Sequence, residues 1–208
     1  LLDQLPDKEL AAAPAGSHLA EQYYAAMNAA INFAWVNRQL ITHRTRDVFA
    51  SVFDRDWRDM EMDLLYDVSH NIAKKEMHEI DGQHRELFVH RKGAVKPNQT
   101  GRALIPGSMG TSSYLVETKN SPALEKSLHS LAHGAGRKMS RRQAKQTISK
   151  TQHQNKLNGV EVVSGSGESL LDESPLAYKN IDQVINALAK TGLARPVAEL
   201  KPLAVLKG

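Results

Sequence analysis

The chain has 208 residues, with 27 Lys and Arg against 23 Asp and Glu, a formal net charge of +4, nine histidines and no cysteine. That length buries a real core, as one domain or two small ones, while the missing cysteines exclude a disulfide framework or a Cys-based zinc site within these residues. Aromatics make up 5% of the chain, which argues against base stacking on an aromatic platform as the main binding mode.

Read in order, the chain opens on Leu1 rather than Met, mid-phrase, as expected of a piece of a longer protein. No signal peptide opens it and no apolar run reaches the length of a membrane span, so the expectation is a soluble, cytoplasmic protein. Residues 1–16 are Pro- and Ala-rich and read as a tether, and Ser17 suits an N-cap. Leu19, Tyr23, Ala26, Ala30, Phe33, Val36 and Leu40 recur in steps of three and four. That spacing predicts a long amphipathic helix, or a broken pair, over 18–53. Alternating charges at 54–63 predict a turn, and the apolar run 62–71 predicts a buried strand. Asp67, His70 and Asn71 would then lie where that strand gives way to a loop, a usual place for functional groups. A lone histidine there suits a hydrogen-bonded structural role. As a ligand it would offer a neutral imidazole nitrogen to a divalent ion.

Asp81-Gly82 is a hairpin signal, and 85–94 reads as a strand ending in basic residues and a glycine. Lys92 is there either a surface cation or a phosphate contact. Residues 103–116 read as strand, loop, strand. The loop combines Gly107 and Gly110 with Ser108, Thr111, Ser112 and Ser113, enough N–H and O–H donors to serve one anion. It lacks the Lys-Ser/Thr ending of a Walker A loop and does not match G-x-G-x-x-G. From its pattern it is a phosphate loop or a glycine-rich turn.

A helical stretch over 121–131 delivers the chain to Leu131-Ala-His-Gly-Ala-Gly-Arg137. Gly134 and Gly136 remove side chains that would keep a bulky anion from the backbone. Arg137, Lys138, Arg141, Arg142, Lys145 and Lys150 meet no acid within 137–150, a local block that argues for a polyanion partner. If 137–150 is one helix, its free N–H groups face the glycines, and Arg137, Arg141 and Lys145 share a face. The segment then reads as an imidazole, His133, held over a phosphate. A glycine turn before a solvated charged face gives the same pattern. Further on, 159–163 predicts a strand, 164–167 a flexible loop and 181–189 a helix with Gly192 past its end. The tail 197–208 alternates weakly, and a lysine at position 207 is expected to be disordered. The fold class is α+β: short strands carrying active-site loops, with helices around them.

Six segments together carry a likeness that none carries alone. They are Tyr66-Asp-Val-Ser-His-Asn-Ile-Ala-Lys74, Val89-His-Arg-Lys-Gly-Ala94, Pro106-Gly-Ser-Met-Gly-Thr-Ser-Ser-Tyr114, Ala132-His-Gly-Ala-Gly-Arg137 with Ser140-Arg141, Asp172-Glu-Ser-Pro-Leu-Ala-Tyr-Lys179, and Lys207-Gly208. In this order they closely resemble the RtcB family of tRNA-splicing RNA ligases, over nearly the whole chain. The resemblance is to the C-terminal part of a single RtcB-like catalytic domain, 1–208, whose metal-binding N-terminal half is missing.

The resemblance implies an enzyme that joins an RNA 3′-phosphate or 2′,3′-cyclic phosphate to a 5′-hydroxyl, using GTP and Mn²⁺. His133 matches the histidine that becomes guanylylated. His70 matches a manganese ligand and Asn71 a nucleotide contact beside it. Pro106, Gly107, Ser108, Met109 and Ser113 fall on the nucleotide-holding loop, and Gly134, Ala135 and Gly136 bring backbone against its phosphate. Tyr178 and Lys207 match guanine-side contacts, which would order the terminal lysine. Lys92, Arg137 and Arg141 match cations for phosphate, that of the RNA end. The family's other metal ligands, an Asp, a Cys and two further histidines, lie in the absent half, so the chain is expected to be inactive alone. Two other classes fit parts of the pattern: a non-catalytic RNA-binding module, and a GTP-binding regulatory protein.

Overall fold

Ser17 caps the first helix as its position suggests: in the computed structural model its Oγ accepts the Ala20 N–H at 3.3 Å. The structure describes residues 5–7, 10–157, 159–165 and 170–207. They fall into two units, Leu1–Leu65 and Tyr66–Gly208.

In the first unit, α1 (His18–Phe53) is one unbroken helix of 36 residues that stops where Asp54 turns left-handed at φ 50°. The turn expected at 54–63 follows. Arg46 reaches it, donating to the Met62 carbonyl at 2.9 and 2.6 Å while its guanidinium lies 4.0 Å from the centre of the Trp57 ring. Ile31 is the buried side chain of α1, and most of its other apolar groups, Phe33 and Val36 among them, remain exposed.

The second unit begins with a correction. The apolar run at 62–71 is not a strand; residues 63–69 are irregular, and β1 (Asn71–Ile80) starts where the run ends. Tyr66 and Val68 pack against the core, so the apolar pattern reports burial without a strand partner. His70 and Asn71 therefore stand where loop becomes strand. β1 pairs with β2 (Gln83–Lys92) through a two-residue turn in which Asp81 (φ 52°) and Gly82 (φ 75°) are both left-handed, as a type I′ turn requires. The register sets Asn71 opposite Lys92.

β3 (Ala94–Val95) pairs antiparallel with β6 (Leu131–Ala132). β4 (Arg102–Ile105), β5 (Ser113–Glu117) and β8 (Arg195–Leu200) form an antiparallel sheet in the order β4-β5-β8. The helix expected at 121–131 is shorter: α2 (Pro122–Lys126) ends early, and Leu128 and His129 take positive φ before β6. α5 (Ile181–Lys190), capped by Asn180, turns Ile181, Ile185 and Leu188 onto Val95, Ala103, Ile105 and Val116. Burying each of those large α5 side chains contributes on the order of 1.5–3 kcal/mol. β7 (Glu161–Ser164) pairs parallel with β9 (Ala204–Lys207), register Ser164 to Lys207, so Lys207 is ordered in a ladder. Of the predicted loop 164–167, residues 166 and 167 lie outside the described residues.

The single basic helix over 137–150 is also corrected. Two short helices replace it, α3 (Arg141–Thr147) and α4 (Lys150–Lys156). Each has its own serine cap: Ser140 takes the Gln143 N–H and Ser149 takes the Gln152 N–H. Between them Ile148 is extended, and Arg137 belongs to an isolated antiparallel bridge with Tyr178. The glycines beside His133 therefore do not face a helix N-terminus. The whole is mixed α+β, and among the described residues no helix is long and apolar enough to cross a membrane.

Candidate functional site

His133 follows β6 directly, and Gly93 precedes β3, so the β3–β6 pairing sets these two residues side by side. The His133 Nδ1 lies 2.8 Å from the Gly93 carbonyl oxygen. A carbonyl only accepts, so Nδ1 carries the hydrogen and, in the neutral ring, Nε2 keeps its lone pair. Gly93 reaches this position at φ +75°, a conformation that favours glycine, and its N–H donates to the His70 carbonyl at 3.0 Å. The rings of His70 and His133 are stacked, centroids 5.0 Å apart and 16° from parallel. Asn71 and exposed Lys92 face each other at the same end of the hairpin. Four sequence-derived positions, His70, Asn71, Lys92 and His133, are thereby brought to one place.

A second group surrounds a cleft of about 230 Å³. Pro106, Gly107, Ser108, Met109, Ser113, Tyr178 and Lys207 line it, together with Glu173 and Val205. Three distant segments meet there because β5 starts at Ser113, Tyr178 bridges Arg137, and β9 delivers Lys207. The volume is below the roughly 300–1,000 Å³ of complete small-molecule sites. A space of this size suits part of a nucleotide. The loop's donors are not simply aimed outward: Gly107 N–H donates to Ser113 Oγ at 3.2 Å, and Ser108 N–H to Thr111 Oγ1 at 2.7 Å. A Cβ on Gly107 would meet the Ser112 carbonyl, so glycine permits this fold-back.

The two groups are joined by backbone. Ala135 N–H donates to the Pro106 carbonyl at 3.0 Å, and a Cβ on Gly134 would stand 2.9 Å from that oxygen. Gly134 therefore permits the close approach of two chain segments. Gly136 is needed for its φ of +70°, and its carbonyl accepts the Lys179 N–H.

The arginines meet acids that the local sequence did not offer. Arg137 donates to Met139 O, Asp172 O and Tyr178 Oη, and its guanidinium lies 4.9 Å from the centre of the Tyr178 ring. Arg141 contacts Glu173 Oε1 at 2.8 Å and Asp172 at 3.9 Å, while Lys145 stands 3.9 Å from Asp172. Tyr178 in turn donates to Glu173 Oε2 at 2.6 Å; burial and this carboxylate push its hydroxyl pKa up. Glu173 lies within the Asp172–Lys179 segment and is a site residue that the sequence reading misses. Its signal was its place five residues before Tyr178, and only the fold shows that it faces the basic segment.

The donors for manganese are incomplete. Among the described residues no three His, Asp or Glu gather as a metal site, and two imidazoles do not make the largely oxygen shell that Mn²⁺ favours.

A profile of the tRNA-splicing ligase RtcB family matches residues 1–208. The tRNA-splicing ligase RtcB of Methanococcus maripaludis is 42% identical, with 99% of this chain and 46% of that protein covered. That of Thermococcus kodakarensis is 41% identical, covering 98% and 45%. That of Pyrococcus horikoshii is 42% identical, covering 98% and 25%. The chain thus spans about half the length of the first two relatives, and it belongs to the RtcB family of tRNA-splicing ligases.

Proposed function

We propose that this chain is the C-terminal, nucleotide-holding part of a GTP- and Mn²⁺-dependent RNA ligase that works through a histidine–GMP intermediate. The observation that carries the reading is the state of His133: one ring nitrogen is occupied by a main-chain carbonyl, which leaves the other as the nucleophile. Nε2 attacks the α-phosphorus of GTP, forming an N–P bond as the bond to the β-phosphate oxygen breaks and pyrophosphate leaves. An oxygen of the RNA 3′-phosphate then takes the guanylyl group from the ring. The 5′-hydroxyl oxygen attacks the RNA phosphorus, loses its proton, and GMP departs. In this reading the serine loop, Tyr178 and Lys207 hold the guanine side. Lys92, Arg137 and Arg141 offset the charge that gathers on phosphate. For Mn²⁺, His70 would supply one donor, and the remaining donors would come from the N-terminal half.

The test is intact mass measurement after incubation with GTP and Mn²⁺. The full-length ligase is expected to gain one acid-labile guanylate on His133, and His133→Ala to gain none while keeping its RNA affinity. The 208-residue chain alone is expected to gain none. An adduct on another residue, or full ligation by the alanine variant, overturns His133 as the nucleophile; no adduct on the full-length protein leaves an RNA-binding module or a GTP-binding regulatory protein.

A further inference from the structure

Outside the site lies a buried ionic group that the chemistry above does not use. Glu76 on β1 and Arg91 on β2 have side chains only 8% and 2% exposed. They form a two-pronged pair, Nη1 to Oε1 at 2.8 Å and Nη2 to Oε2 at 3.0 Å. His78 Nε2 donates to the same carboxylate at 3.0 Å, and Lys96 Nζ approaches it at 3.1 Å. Burial alone would raise the Glu76 pKa. The hydrogen bonds from Arg91, His78 and Lys96 outweigh it and bring the value down to about 2. The acid is therefore a fixed anion.

Position gives this group a purpose beyond packing. Arg91 stands two residues before Gly93 and Lys96 three after it, so one carboxylate grips both flanks of the segment whose carbonyl orients His133. Arg91 also reaches the other side of that hydrogen bond. Its Nε donates to Ser130 Oγ at 3.0 Å and its Nη2 to the Leu128 carbonyl at 2.8 Å. Leu128 and His129 are left-handed at φ 51° and 53°, a conformation unfavourable for L-residues that persists only where the surroundings hold it. Three residues after Ser130 comes His133.

We propose that Arg91 is a positioning residue for His133. Through Glu76 on one side and the 128–130 turn on the other, it fixes the Gly93 carbonyl and the imidazole relative to each other. This role rests on His133 as nucleophile. It deepens that reading by naming what sets the ring's tautomer and aim.

Arg91→Lys in the full-length ligase keeps a cation beside Glu76 but cannot reach Glu76, Ser130 and the Leu128 carbonyl together. Guanylylation at saturating GTP is expected to slow at least about tenfold, with half-saturating GTP changed less than about twofold. Nitrogen-15 spectra of His133 are expected to lose the single Nδ1–H tautomer. Ser130→Ala, a milder change that preserves the buried ion pair, should move the rate and the spectrum in the same direction by less. Rates within about twofold of the parent in both variants, or slowing with an unchanged His133 spectrum, would overturn the role. Should the parent form no adduct on His133, the nucleophile reading fails; the tautomer signal in Arg91→Lys still decides whether Arg91 positions the ring.

Discussion

Two arginines in the second unit each hold a glutamate at the same 2.8 Å, Arg91 with Glu76 and Arg141 with Glu173. Their surroundings differ. The Arg91 side chain is 2% exposed and that of Arg141 is 70% exposed. Although its Glu173 partner is only 17% exposed, the Arg141 guanidinium lies in water, where salt screens the contact and one oxyanion can be exchanged for another, a carboxylate for a phosphate. A buried pair has no such freedom; removing one member strands the other in a low dielectric. Distance alone therefore says little about what an ion pair does. The same contact is a handle in one place and a clamp in the other.

Breaking the clamp should have the largest effect. Glu76→Ala leaves Arg91 buried without its carboxylate and is expected to cost about 3–5 kcal/mol, read as a lower midpoint in denaturant with unchanged slope. Acid should act next. The Glu76 pKa lies below its ordinary 4.5, so its contribution is complete above about 4.5 and lost as pH falls toward about 2. Burial holds the His129 pKa below the ordinary 6.5, so an earlier loss begins as pH drops through 6.5, where the unfolded chain takes up the proton first. Thermal melts between pH 7 and pH 3 should show both limbs, and a melt flat across that range would contradict the buried charge. Smallest of the three, Arg141→Ala should change stability by less than about 1 kcal/mol, while weakening RNA binding in a salt-dependent way. A stability loss as large as that of Glu76→Ala would erase the distinction between handle and clamp.

Much of the fold was legible where a few adjacent residues decide it. Ser17, the Asp81-Gly82 turn and the spacing of Ile181, Ile185 and Leu188 act within a turn of their own position, and each lies where its chemistry suggests. The errors came where tertiary partners decide. The run at 62–71 is apolar because it covers the core, and periodicity cannot tell such a segment from a paired strand. The basic block hid two serine caps, and the acids that face it arrive about thirty residues later in the chain. The cleft was legible only as motifs: resemblance supplied its members apart from Glu173 and Val205, and three segments had to fold together to line it. The Glu76–Arg91 pair left no local mark, since the partners are fifteen residues apart and surrounded by other charges.

The acceptor that orients His133 is a main-chain atom. No substitution can delete it, so changes in the gene reach this hydrogen bond by bending the peptide that carries the oxygen or by shifting the turn that delivers the ring. At Gly93 a side chain would strain that peptide, because the left-handed φ there favours glycine. Inheritance thus acts on this imidazole through the shape of the main chain around it.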